Sequence, residues 1–219
     1  MKSIAWLPNW LRAPMASMRS KYRVAIRRRI VVQLARKVPK KIVVGAGGTQ
    51  FRGWISTEQD VLNLVMESDW ATYFEKNSVD AVLAEHVWEH LTPDESRTAA
   101  TQCFKFLKPG GYLRVAVPDG YHPDASYIDA VRPGGHGPGA DDHKVLYTYE
   151  SFRSVFIDVG FDVALLEYFD ERAEFHYNEW NCTDGFIERS KRFDLRNADG
   201  ALTYTSIILD ARKQLDGRY

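Results

Sequence analysis

From residue 42 onward, apolar and polar positions fall into short blocks. Ile42-Val43-Val44 is an apolar run between Lys40-Lys41 and a glycine cluster, which predicts a short buried strand. Gly53–Glu58 begins apolar and finishes on an acid, Val79–Ala84 is apolar apart from Asp80, and Tyr112–Val117 runs apolar up to Pro118. These predict three more strands, with two late ones at Phe161–Leu166 and Tyr204–Leu209. Thr92–Phe106 carries a helical period, with Pro93 in the first turn and Asp94 and Glu95 against the positive end of the helix dipole. Leu107-Lys108-Pro109-Gly110-Gly111 reads as a turn, and Tyr149–Val159 as a helix closed by Gly160. Strands alternating with helices predict an α/β fold, a mainly parallel sheet with helices on both faces. Asp119–Lys144 has no period and holds Pro123, Pro133, Pro138 and five glycines. A loop that long inside a compact domain points to a binding wall or a lid.

Residues 1–41 stand apart as a basic arm of 12 cations and no acid, which leaves 17 cations against all 29 acids in the remainder. Tyr22, Ile26, Ile30 and Leu34 recur at spacings of four, an amphipathic helix. Two readings stay open: a helix on an anionic membrane surface, with Trp6 and Trp10 nearby, or a cover packed on the body with its cations in solvent. The run Ile4–Leu7 is too short for a secretory signal and meets Pro8 at once. Over the 219 residues, 45% hydrophobic and 13% aromatic content with zero net charge excludes disorder as the main state. No window approaches the ~18 apolar residues of a membrane span. Cys103 and Cys182 lack CxxC spacing, give neither a disulfide framework nor a zinc site, and fit a reducing cytosol. The expected location is cytoplasmic, peripheral to a membrane if the arm binds lipid.

The chemistry-bearing pattern starts at Gly45-Ala46-Gly47-Gly48, directly after the first strand, where missing Cβ atoms let backbone approach a ligand. Glu58, 11 residues after Gly47 at a strand end, can accept from both hydroxyls of a ribose. A dinucleotide fingerprint needs a third glycine where Phe51 or Arg52 stands, and an acid about 20 residues on, so nicotinamide-dinucleotide binding is disfavoured. Next come Ser68-Asp69-Trp70, Asn77-Ser78-Val79-Asp80-Ala81-Val82, His86-Val87-Trp88-Glu89-His90-Leu91 and the Leu107–Gly111 turn. This ordered set, from Lys41 to Asp119, resembles the class I S-adenosylmethionine (SAM) dependent methyltransferases of the type 11 group. The resemblance implies a doubly wound, seven-strand, mostly parallel Rossmann-like sheet over residues 42–219, with an insertion near 169–201. By the same resemblance, Gly45, Ala46 and Gly47 cradle the methionine part of SAM and Glu58 holds the ribose. Asp69 then meets the adenine amino group with Trp70 beside the ring, and Glu85 and His86 face the methionine end and the sulfonium.

His86-x-x-Glu89-His90 also fits the H-x-x-E-H pattern of inverted zinc peptidases, but that pattern needs a long helix and Pro93 follows closely. Glu89 and His90 are therefore read as a structural network, and no metal is assigned. For the acceptor half, ligands sit beyond the carboxyl ends of strands. His122 or His143 is expected as general base, oriented by Asp119 or Asp142. Asp141, Asp142 and His143 form an alternative divalent-cation set. Tyr168, Phe169, Phe175, Tyr177, Trp180, Phe186 and Phe193 offer planes for carbohydrate stacking or, equally, a core for the insertion. The expected activity is O-methylation of a sugar, glycan or other small hydroxylated acceptor, with nucleic acid disfavoured by the acidic body. RNA or protein methylation, and a catalytically silent binding module suggested by Val43 in place of an acid, remain as alternatives.

Overall fold

The computed structural model describes residues 24–25, 27–33, 35–36 and 38–215. The arm positions Trp6, Trp10, Tyr22, Ile26 and Leu34 lie outside them. Seven strands form one sheet: β1 (Lys41–Val44), β2 (Ile55–Ser56), β3 (Val79–Glu85), β4 (Leu107–Pro118), β5 (Asp162–Phe169), β6 (Phe175–Tyr177) and β7 (Ser206–Arg212). Their order is β2-β1-β3-β4-β7-β5-β6. The β2–β1, β1–β3 and β3–β4 pairs are parallel, whereas β7 runs antiparallel to both β4 and β5. The β5–β6 pair is antiparallel as well, so the sheet is mixed where a mostly parallel one was expected; its seven strands and Rossmann-like arrangement are those the resemblance implies. The turn expected at Leu107–Gly111 is absorbed into β4 as an irregularity: Leu107 pairs with Val79, and pairing resumes at Tyr112 opposite Ala81.

Strand residues alternate between two cores, as the period of two requires. Ile42, Val44, Val82, Ala84, Leu113 and Val115 face the first core. Against it lie helices α1 (residues 27–33, through Val31), α2 (Glu67–Tyr73), α3 (Pro93–Phe106) and α5 (Tyr149–Ile157). Thr92 and Glu95 form a reciprocal capping box at the start of α3, which fixes where the chain leaves the site and enters the helix. A further short helix, α4 (Ala125–Val131), lies inside the stretch expected to be loop.

Val43, Leu83, Ala116 and Ile208 face the second core, which contains no α-helical residue among those described. Its cover is irregular chain carrying Trp180, Ile187 and Phe193. The aromatics of the insertion thus pack as core, and the helices expected on this face are replaced. An irregular cover has no backbone ladder of its own, so buried side chains of the sheet tie it down. The Arg114 guanidinium donates to the Asn181 and Gly185 carbonyls at 2.9 and 2.8 Å and pairs bidentately with Asp210 at 2.7 and 2.9 Å. Buried Glu167 accepts from Trp180 Nε1 at 2.9 Å and from the Lys191 amide at 2.7 Å. No described helix is long and apolar enough to cross a membrane.

Candidate functional site

The carboxyl ends of β1, β3 and β4 converge on a depression made of three adjoining cavities that share His86. His86 ends β3 in the left-handed region, with φ of 54°, an arrangement costly for a residue with a Cβ and characteristic of functional turns. Its Nε2 lies 3.1 Å from Ser206 Oγ, which itself donates to the Arg189 carbonyl at 2.7 Å.

The first cavity, about 280 Å³, lies over Gly45, Ala46 and Gly47 and is closed by Glu85, Glu188 and Arg189. Gly45 has φ of 57°, and a Cβ there would meet Val87 Cγ2 at 2.6 Å, so the turn admits only glycine at its tightest point. Glu85 accepts from the Glu188 and Arg189 amides at 3.2 and 2.7 Å, fastening the insertion over the turn. The second cavity, about 300 Å³, holds Glu58 with Leu62, Leu64 and Leu91 around it, a carboxylate beside an apolar seat. Glu58 Oε1 accepts from the Gly48 amide at 3.3 Å, which leaves its other oxygen uncommitted. Backbone without side chains, a strand-end acid and an apolar seat in one continuous groove fit an adenosyl amino acid.

Two residues expected at the adenine do not lie there, because Ser68-Asp69-Trp70 folds as part of α2. Trp70 is fully buried, stacks on Phe106 with centroids 5.4 Å apart, and donates to the Leu64 carbonyl at 3.1 Å. It is a core residue with no free face. Asp69 accepts from the Asn63 amide at 3.0 Å and so shapes the chain bordering the adenosine seat without lining it.

The third cavity, about 500 Å³, opens on the far side of His86 and is bordered by Glu89, His90, His143, Arg189 and Tyr204. His143 belongs to it, but His122 does not. His122 stacks on Tyr127 at 3.9 Å, its Nδ1 accepts from the Asp124 amide at 3.2 Å, and its Nε2 lies 3.1 Å from the Leu202 carbonyl. Burial lowers its pKa below the usual histidine value. With both nitrogens engaged, it is a structural residue. Asp119 does not orient it. That buried carboxylate accepts from the Tyr121 and Phe169 amides at 3.0 and 2.7 Å, tying the loop to β5, and burial pushes its pKa up to about 6.

Asp142 is exposed and pairs with Lys144 at 2.8 Å and with His90 Nδ1 at 3.4 Å; it therefore supports His90 instead of its neighbour His143. The Lys144 hydrogen bond holds its carboxyl below the usual range. His143 takes its orientation from Val131, whose carbonyl lies 2.6 Å from Nδ1. Asp141 and Asp142 do not close a metal set with His143 among the described residues; the trio that does is Glu89, His90 and His143. The H-x-x-E-H reading fails on backbone, since Trp88–His90 is a single 3-10 turn followed by extended Leu91. Arg189, Arg196 and Tyr204 carried no signal in the sequence. Glu89 and His90 carried one, the motif that their context argued against.

Residues 50–115 match a family described as a methyltransferase domain. No curated protein matches the chain. Among solved structures, the chain is similar to a putative methyltransferase of Haloferax volcanii in complex with the Trm112 activator, at 14% identity over 83% of this chain and 87% of that one, TM-score 0.46. It is also similar to a SAM-dependent methyltransferase of Archaeoglobus fulgidus (14% identity, 84% and 92% covered, TM-score 0.46). A SAM-dependent methyltransferase of Thermotoga maritima shares 11% identity over 90% and 96% of the two chains, TM-score 0.49. The family match runs from Gln50, ahead of β2, to Val115 in the middle of β4; it includes Glu58, Glu85 and His86 but begins after the Gly45–Gly47 turn. Over residues 50–115, then, the chain is similar to a methyltransferase domain.

Proposed function

We propose that the protein transfers a methyl group to a hydroxyl of a small, polyhydroxylated acceptor of sugar size, seated in the 500 Å³ cavity. The observation that carries this reading is the shared wall: His86 borders both the cofactor cavities and this larger one, so an acceptor oxygen there faces the methionine end of the groove. The lining favours hydroxyl groups, with Asp124, Ser126, Thr203 and two arginines among its residues. Support for a sugar rests on these polar groups, since Tyr177, Trp180 and Phe193 of the insertion are committed to the second core.

Bound SAM supplies an electrophilic methyl on a sulfonium. The chain's part is alignment, exclusion of water and handling of one proton. Gly45–Gly47 lets the backbone approach, Glu58 takes the ribose hydroxyls, and Glu85 with its two amide donors holds the insertion across the methionine end. On the acceptor side, His90 and His143 each have Nδ1 tied back, to Asp142 and to the Val131 carbonyl, leaving Nε2 as the nitrogen open to the cavity. The acceptor oxygen would bond to the methyl carbon as the carbon–sulfur bond breaks with its electron pair left on the thioether sulfur, and the hydroxyl proton would pass to Nε2 of this histidine pair.

The test is incubation with methyl-labelled SAM and a panel of glycosides, sugar acids and amines. Label in an alkali-stable ether supports the reading; label only on nitrogen, or on none of the panel, overturns it. For the basic arm we propose contact with an anionic surface, supported by exposed Arg29 and half-exposed Ile30 of α1, while Arg27 and Arg28 reach Asp60 of the body.

A further inference from the structure

Glu89 is 1% exposed, and neither carboxylate oxygen has a hydrogen-bond partner. A buried carboxylate in that state is costly by several kcal/mol unless something positive reaches it. His86 Nδ1 lies 3.0 Å from Oε1 but outside hydrogen-bond geometry. The network shows why. Ser206 spends its hydroxyl proton on the Arg189 carbonyl, so it accepts from His86 Nε2, and a neutral His86 turns a bare lone pair toward Glu89.

The side chains on the other side of Glu89 are two imidazoles, His90 and His143, whose rings meet edge to face at 4.8 Å. One ligand atom from each of the three residues lies within 4.8 Å of the other two. Each imidazole has the supporting partner that metal-bound histidines use: a carboxylate on His90 Nδ1 and a backbone carbonyl on His143 Nδ1. The His143 bond fixes its tautomer and leaves Nε2 as its basic nitrogen; Asp142, an ion-pair partner 3.4 Å from His90 Nδ1, favours the same tautomer there. Backbone holds the trio together, since the Lys144 and Val145 amides both donate to the Glu89 carbonyl, at 2.7 and 3.3 Å. The nearby arginines are already neutralised, Arg189 by Glu85 and Arg196 by a bidentate pair with Asp194.

We propose that Glu89, His90 and His143 bind a divalent first-row transition ion at the wall of the acceptor cavity. Two imidazoles and one carboxylate are a borderline-soft set suited to zinc, cobalt, iron or manganese, with coordination positions left open toward the cavity. The three ligand atoms lie within 4.8 Å of one another, against about 3.4 Å between ligands of a tetrahedral zinc site, and side-chain rotation closes any difference on binding. The ion answers the unpartnered carboxylate. It also gives an acceptor oxygen a place to coordinate: with the ion bound, His90 and His143 serve as ligands instead of proton acceptors, the ion lowers the affinity of that oxygen for its proton, and the proton leaves to solvent through the open cavity. What the ion does there rests on the methyl-transfer reading; that it binds does not.

The experiment is titration of chelator-stripped, full-length protein with Co²⁺, followed by its visible absorption and by calorimetry, with SAM binding measured alongside. One equivalent of Co²⁺, displaced by Zn²⁺, is expected. Glu89→Gln and His143→Gln should each weaken it by more than about 100-fold, beyond what loss of a supporting partner costs, while Asp141→Asn leaves it unchanged. Without metal, Glu89→Gln should unfold no earlier than the natural chain, because it removes an uncompensated charge; this keeps the test sound if His143→Gln misfolds. Absence of saturable binding, or binding that survives Glu89→Gln, overturns the proposal and leaves Glu89 paired with a charged His86. Loss of SAM binding in the natural chain counts instead against the cofactor reading.

Discussion

Arg114→Met isolates how the sheet holds its irregular cover. The native guanidinium, 2% exposed, makes two bonds to Asp210 and two to carbonyls of the insertion, and lies 5.0 Å over the Trp180 ring. Methionine fills much of the volume and stays apolar against Trp180, so little of the effect is cavity. What remains is a buried Asp210 carboxylate, with half-exposed Arg212 at 3.6 Å as its nearest cation, and two carbonyls without donors. Removing one partner of a buried pair costs about 3–5 kcal/mol. For a domain of 150–250 residues that corresponds to a melting temperature lower by about 6–20 °C. The double variant Arg114→Met/Asp210→Leu removes both charges and should recover most of the loss, because a desolvated pair is often replaceable by apolar groups. The assay is thermal and urea unfolding of the natural chain, both single variants and the double. A functional readout accompanies it: the insertion carries the amides that hold Glu85, so the single variant should weaken SAM binding in calorimetry. A single-variant loss below about 1 kcal/mol, or a double variant no better than the single, would refute the account of the anchor.

Gly45→Ala places a Cβ at φ of 57° and 2.6 Å from Val87 Cγ2; strain of about 1–2 kcal/mol plus displacement of the turn should weaken SAM at least about tenfold. Adding Val87→Ala should return part of that affinity, and an unchanged dissociation constant for Gly45→Ala would sink the cradle assignment. Asp119 titrates near 6 in the folded chain against an ordinary 3.8, so the native state holds the extra proton between those values. Stability from this group is therefore present at the acid end and declines as pH rises through that window, by about 3 kcal/mol in all. Unfolding of the natural chain and of Asp119→Asn, measured from about pH 4 to about pH 7, should show their stability difference shifting against the natural chain; a flat difference contradicts it. Arg29→Glu/Ile30→Ser should weaken co-sedimentation with vesicles containing anionic lipid, and a full chain that never sediments with them disproves the surface contact.

Local patterns settled most of the strands and placed Gly45 and Glu58 at the cavities proposed as the cofactor groove. Ile42–Val44, Val79–Ala84 and Tyr112–Val117 are legible because period and boundary residues act within a few positions, and the Thr92–Glu95 box marks a helix start in four residues. Gly45 and Glu58 are legible for the same reason: a strand-end turn and a strand-end acid are defined by their own neighbours. Trp70 shows the limit. Its motif was visible, but a helix turned the ring into the core, which only packing against Phe106 decides. The acceptor side was decided almost wholly in three dimensions. His122 and His143 look equivalent in a glycine-rich loop, yet one is closed in by Tyr127 and Leu202 and the other opens onto a cavity. His86 meets Ser206 across 120 positions, and Glu85 meets the Arg189 amide across 104. Such pairs arise from strand order and from what covers each face of the sheet, so no window of sequence holds both members. The sequence by itself determined where a cofactor can approach the backbone. Tertiary structure decided which imidazoles and carboxylates face one another, because burial, not spacing, sets which polar atoms are left to bind anything.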